Sequence, residues 1–201
     1  GELIHVGIIG CACYTGGELI RLLINHPNTA ISFIHSKSNA GNPVYKVHQD
    51  LIGETELTFS GELNDDVDVL FLCIGHGDSK KILSENNISD KIKIIDLSQD
   101  FRLGATVGKR KFVYGLPELN KALIKKATNI ANPGCFATAI QLGLLPLAKA
   151  GLLKEIHTTG ITGSTGAGQG LNAASHFSWR ANNIQAYKTL FTKTYLWDMR
   201  I

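Results

Sequence analysis

The chain has 201 residues and a mass of 21.8 kDa, more than one average domain and less than two at about 150 residues per domain. Its 44% hydrophobic and 18% charged residues give a globular balance, too apolar for a disordered tail. A net charge of +3, with no basic cluster denser than Lys109-Arg110-Lys111, gives no reason to expect nucleic acid as a partner.

Gly1-Glu2-Leu3 leads straight into Ile4-His5-Val6-Gly7-Ile8-Ile9, so a signal peptide is not expected and a buried first strand is. Thr15 to His26 switches to helical spacing, with Leu19, Leu22 and Leu23 on one stripe, Thr15 and Glu18 as a capping box and Pro27 as the stop. Ala30 to His35 is the second predicted strand, and residues 36–61 read as an excursion or surface loops. Val67 to Ile74 is nearly all apolar, as expected of a parallel strand buried on both faces. Asp78 then caps a helix through Asn87, Ile92 to Asp96 is a strand, Pro117 to Ala127 a helix and Thr128 to Ala131 a strand. A helix from Cys135 to Ala150 follows, then a strand from Glu155 to Thr162 and a glycine-rich loop at Gly163–Gly170. Strand and helix alternate as in a doubly wound α/β fold of the Rossmann type, placed at 1–134, with the start of an α+β domain at 135–201. No apolar run approaches ~18 residues, so no membrane span is expected.

Three constellations carry candidate chemistry. The first is the strand-to-helix turn Gly10-Cys11-Ala12-Cys13-Tyr14-Thr15-Gly16-Gly17. Gly10, Cys13 and Gly16 take the spacing of a dinucleotide fingerprint, with cysteine where a spaced variant puts its middle glycine. Amides at the helix start, including those of Tyr14 and Thr15, would hold phosphates; the other reading is a merely structural turn. Ser36-Lys37-Ser38 after the second strand offers two hydroxyls and a cation and no carboxylate. That favours NADP over NAD, against a plain solvated loop. Gly75 and His76 end the third strand, where open sheets bind ligands.

The second is Asn132-Pro133-Gly134-Cys135, which sets a cysteine at the start of an apolar helix, where amides and the helix dipole favour a thiolate nucleophile; a buried structural cysteine is the alternative. Cys11 and Cys13 form only C-x-C and Cys73 lies in an apolar strand, so these three read as structural and no metal is expected. Four cysteines in a chain of this length suit a reducing, cytoplasmic compartment. The third is the 163–170 loop, which lacks the lysine of a Walker phosphate loop and is expected to cover a substrate. His176 is as compatible with a structural as with a functional role, and His5, His26 and His48 carry no context.

Together these segments resemble the N-acetyl-gamma-glutamyl-phosphate reductases. The match rests on His5 to Gly10 with Tyr14 to Leu19, Ile95 to Leu103, Tyr114 to Asn120, Asn132 to Cys135, and Ser175 to Arg180, in the family's order over nearly the whole chain. The resemblance implies an NADP-binding Rossmann domain, a small-molecule acyl phosphate as substrate and Cys135 as the nucleophile that forms a thioester. Arg102 suits the substrate phosphate through its guanidinium fork, His176 joins it as a substrate-binding candidate, and a homo-oligomer is the expected assembly. Three features depart from the pattern. Cys13 replaces a glycine. Lys193 and Tyr195 stand about where histidines, one of them the general acid, are expected. The family's chains are also longer, so a fragment is expected here. The alternatives are an aspartate-semialdehyde dehydrogenase-like enzyme, disfavoured by Tyr114 to Asn120 and Ser175 to Arg180, and a non-catalytic nucleotide-binding remnant.

Overall fold

The structure is a computed structural model that describes residues 1–186. Two compact units divide the chain, Gly1–Asn132 and Pro133–Ile201. The first runs β1 (Ile4–Ile9), α1 (Tyr14–Ile24), β2 (Thr29–His35), β3 (Val69–Leu72), α2 (Asp78–Glu85), β4 (Lys93–Asp96), β5 (Thr106–Val107), β6 (Arg110–Lys111), β7 (Val113–Tyr114), α3 (Pro117–Ile124) and β8 (Asn129–Ala131). In the second, α4 (Cys135–Lys149) and the four-residue α5 (Phe177–Arg180) are the α-helices among the described residues.

Six strands of the first unit form one sheet in the order β2-β1-β3-β4-β8-β7, with every neighbouring pair parallel. Because β1 has β2 on one side and β3 on the other, the chain order reverses there, and open sheets of this kind bind ligands beyond the carboxyl ends of the strands at such a reversal. The strands earn their central place by being apolar on both faces. Val6 and Ile8 pack in one cluster with Ile20 and Ile34, while Ile9 packs in another with Phe33, Leu70, Leu72 and Ile94.

Several elements differ from the sequence expectations for local reasons. Helix α1 begins at Tyr14 and is capped by Cys13, whose sulfur accepts the Gly16 N–H, so Thr15 and Glu18 form no capping box. Glu18 instead pairs with Arg21 one turn on. Asp78 is the first residue of α2 rather than its cap, because Gly77, at φ 92°, makes the entry turn. Helix α3 ends at Ile124 and breaks at Asn120, whose side-chain amide donates to the Tyr114 carbonyl. Residues 36–61 are an excursion with a buried side: Val44, Leu51 and Phe59 join the core cluster of β1 and α1. Residues 155–162 make no strand, since no segment among the described residues pairs with them. Arg110, at the centre of the basic triplet, is buried and donates to the Ile92, Ile88 and Ser89 carbonyls and to the Asn129 side chain. Among the described residues no helix is long and apolar enough to cross a membrane.

Candidate active site

The turn from β1 into α1 is built by close backbone approach. Gly10 has φ 84°, and a side chain there would run into the Cys73 carbonyl at the end of β3. A Cβ on Gly16 would lie 2.5 Å from the Cys11 Cα, and one on Gly17 would lie 2.6 Å from the His48 ring. These glycines draw the helix start against the strand, leaving Tyr14 and Thr15 exposed at its mouth. Cys13, in the middle-glycine position, is half-buried and turns its thiol inward, within hydrogen-bond reach of the Gly10 and Cys73 carbonyls at 3.2 and 3.3 Å. A cysteine fits this place because its one S–H has a carbonyl to donate to while its sulfur accepts the Gly16 N–H and caps the helix. The turn therefore keeps the close strand-to-helix approach for which the glycine spacing was singled out.

At the tip of β2, the Gly10 N–H donates to the His35 carbonyl, tying this edge to the turn. Ser36 is buried, whereas Lys37 and Ser38 are exposed. The Asn39 amide donates to both serine hydroxyls, at 3.1 and 3.2 Å, gathering them into one polar cluster. Asn39 is a member that the sequence reading missed, although it sits one residue past the triplet.

The β3–α2 turn is held by the segment that follows β4. Asp100 accepts the Gly77 and Lys80 amides at 2.6 and 3.0 Å, thereby capping α2 from a distant loop. His76 Nδ1 accepts the Gln99 N–H, so this histidine acts as a strut beside the exposed Gly75. Beneath them Asp96 is fully buried, receives hydroxyl bonds from Ser79 and Ser98, and has its pKa raised by that burial. Arg102 donates to the Leu97 and Asn132 carbonyls at 3.0 and 2.9 Å, bridging the ends of β4 and β8. Sequence spacing gave no sign of the Asp96–Ser98–Asp100 brace, because its partners lie 17 to 23 residues away.

In the second unit Cys135 is the first residue of α4 and the one exposed thiol of the four. Thr138 secures this first turn by donating its hydroxyl to the Gly134 carbonyl at 2.8 Å. Cys135 opens onto a cleft of about 590 Å3 walled by Phe136, Ile140 and Gly143 of α4 and by Thr158–Thr162. His176 is exposed and lines a separate cleft of about 660 Å3 with Trp179 and Gln185, so these two candidates do not share a cleft among the described residues. Ser164–Ala167 of the glycine-rich loop forms a 3-10 turn. Lys193 and Tyr195 lie outside the described residues.

Residues 5–127 match the family described as semialdehyde dehydrogenase, NAD binding domain, and residues 135–192 match semialdehyde dehydrogenase, dimerisation domain. The N-acetyl-gamma-glutamyl-phosphate reductase of Azobacteroides pseudotrichonymphae is 60% identical over 196 residues, 96% of this chain and 61% of that one. The reductase of the same name from Christiangramia forsetii is 55% identical over 93% of this chain and 58% of its own length. The chain thus spans about three fifths of the curated relatives it matches. Among solved structures, an aspartate semialdehyde dehydrogenase II of Vibrio cholerae superposes with a TM-score of 0.59 at 18% identity, over 84% of this chain and 49% of that one. The Candida albicans aspartate semialdehyde dehydrogenase with NADP gives 0.51 at 16% identity, over 76% and 48%. These two likenesses agree with the fold described above. By the match across its first unit, the chain belongs to the semialdehyde dehydrogenase NAD-binding domain family.

Proposed function

We propose that this chain is part of an NADPH-dependent reductase that converts an N-acyl-γ-glutamyl phosphate to the semialdehyde, with Cys135 as nucleophile. The observation that carries the reading is the placement of Cys135: an exposed thiol on the first turn of α4 that opens onto a cleft of about 590 Å3. The thiolate attacks the acyl carbon, the carbon–oxygen bond to phosphate breaks, and inorganic phosphate departs. Nicotinamide, when bound, supplies a hydride equivalent to the thioester carbon. Collapse of the resulting hemithioacetal, with a proton delivered to its oxygen during reduction and a base to remove it afterwards, releases the aldehyde and returns the Cys135 thiolate. A thioester suits this reduction because a thiolate leaves far more readily than the oxide of a carboxylate.

Within the same reading, Gly10, Cys13, Tyr14, Thr15, Gly16 and Gly75 serve the dinucleotide. Ser36, Lys37 and Ser38 take its 2′-phosphate, supported by the hydroxyl cluster around Asn39 and by the lack of a carboxylate in that triplet. Arg102 is assigned to the substrate phosphate, its guanidinium already oriented by two carbonyls, and His176 to the substrate. The dimerisation description of residues 135–192 supports a homo-oligomer, and the biosynthetic reading supports a cytoplasmic location. An aspartate-specific enzyme is the weaker reading, since those neighbours are 16–22% identical against 54–60% for the glutamyl reductases.

The test is the reverse reaction in the full-length protein: N-acetyl-glutamate semialdehyde, phosphate and NADP+ should give NADPH, and Cys135→Ser should abolish it. Turnover of aspartate semialdehyde in its place would reassign the substrate.

A further inference from the structure

We infer that His48, in the excursion between β2 and β3, is a positioning residue for the pyrophosphate turn; the inference rests on the dinucleotide reading of that turn. His48 is 6% exposed, and its Nε2–H donates to the Cys11 carbonyl at 2.7 Å. Cys11 is itself fully buried, so no water replaces that donor. The same ring lies against Gly17, where a Cβ would sit 2.7 Å from its Nδ1, so one imidazole touches both the strand exit and the helix entry.

The geometry reaches the ligand side through the peptide plane. In a planar trans peptide the C=O and the following N–H point in opposite directions. Fixing the Cys11 carbonyl on His48 therefore aims the Ala12 N–H away from His48 and out of the excursion side of the turn. Gly16, which has no Cβ, lets the helix start lie close against the same Cys11 backbone.

His48 is itself held from several directions. Its N–H donates to the Val44 carbonyl and its carbonyl accepts the Leu51 N–H, both at 3.0 Å, and Val44 and Leu51 are core residues. Two residues on, Asp50 receives a two-point contact from Arg21 of α1 at 2.5 and 2.7 Å. A core histidine that merely satisfied itself could bond any carbonyl. This one is braced to bond the carbonyl inside the glycine turn.

The test compares His48→Leu, which keeps bulk and loses the donor, with His48→Gln, which keeps an amide donor, in the full chain. Titration with NADPH should show roughly five- to tenfold weaker binding for the leucine variant, the scale of one lost hydrogen bond, and recovery for the glutamine variant. Adenosine 2′-monophosphate, which has no pyrophosphate, should bind both variants as it binds the unaltered chain. In turnover, the KM for NADPH should rise while kcat holds. Should His48→Leu fail to fold, His48→Asn, whose shorter amide falls short of the Cys11 carbonyl, takes its place with the same expected loss. Unchanged NADPH affinity in a folded donor-less variant, or equal losses for NADPH and the monophosphate, overturns the positioning role. An unaltered chain that binds neither NADPH nor NADH overturns the dinucleotide reading itself.

Discussion

A thiol attacks as its thiolate and only where a reagent can reach it, and the four cysteines here differ sharply in exposure. Burial pushes the Cys11 and Cys73 thiols well above their ordinary range, and Cys13 is half-buried with its sulfur engaged as a helix cap. Cys135 should therefore be alkylated first in a mass-mapped iodoacetamide series at neutral pH, with Cys11 and Cys73 last. Cys135→Ser should abolish reduction and leave NADPH affinity unchanged. At the tip of β2, Lys37→Glu should weaken NADPH far more than NADH in paired titrations; equal losses would remove the 2′-phosphate assignment. Asp96 carries a pH signature of opposite sign to the usual carboxylate. Burial raises its pKa against the pull of the Ser79 and Ser98 bonds, so the folded chain keeps this proton where the unfolded chain has lost it. Its ionisation consequently weakens the fold as pH rises from the ordinary carboxylate range through the raised value, and the loss persists above it. Asp96→Asn should flatten that part of the denaturation profile, whereas Asp96→Ala should cost about 1–3 kcal/mol by stranding buried hydroxyls.

Two glycines in helices make opposite predictions because their surroundings differ. Gly16→Ala would force a Cβ to 2.5 Å from the Cys11 backbone, which has no flexible end to swing aside, so a loss of about 1–3 kcal/mol and of dinucleotide binding is expected. Gly143→Ala, in the middle of α4 with nothing within 4 Å of the new methyl, should raise stability by about 0.5–1 kcal/mol in a thermal melt. What the sequence makes legible at this scale follows from burial. Continuous apolar runs identified β1 and β3 because a parallel strand inside a sheet is apolar on both faces. The span of α4 was legible from its apolar content and the Pro133-Gly134 entry. The two-residue β7 was not, because so short a strand has no periodicity of its own and exists only by pairing with β8. Nor was the buried side of 36–61, where Val44, Leu51 and Phe59 reach the core from irregular backbone. The Glu155–Thr162 expectation failed for the converse reason: β propensity without a ladder partner among the described residues makes extended chain and no strand.

At the level of the whole molecule, the two units divide the proposed chemistry between them. The first carries the glycine turn proposed for the dinucleotide and its braces, and the second carries the proposed nucleophile. The parts of the candidate site that sequence alone can propose are those that depend on one short segment, such as Gly10–Gly17 and Asn132–Cys135. The parts that stayed hidden join distant segments, as His48 joins Cys11 across 37 residues and Asp100 joins Gly77 across 23. Proton delivery belongs to this second kind, since its donor must meet a substrate held by other segments. Reduction of the thioester places negative charge on its oxygen, and a general acid there typically contributes ~10²–10⁴-fold. Lys193 and Tyr195, outside the described residues, stand where the family resemblance implies histidines. Unperturbed lysine and tyrosine have pKa values of about 10, whereas histidine, at about 6.5, shares its proton readily near neutrality. The full-length protein should therefore form the Cys135 thioester promptly, in a phosphate-release burst, and reduce it slowly. Lys193→His or Tyr195→His should speed the single-turnover hydride step while leaving NADPH affinity and the burst unchanged. If neither does, the proton comes from another residue, and loss of that step in His176→Gln with the burst intact would identify it as His176.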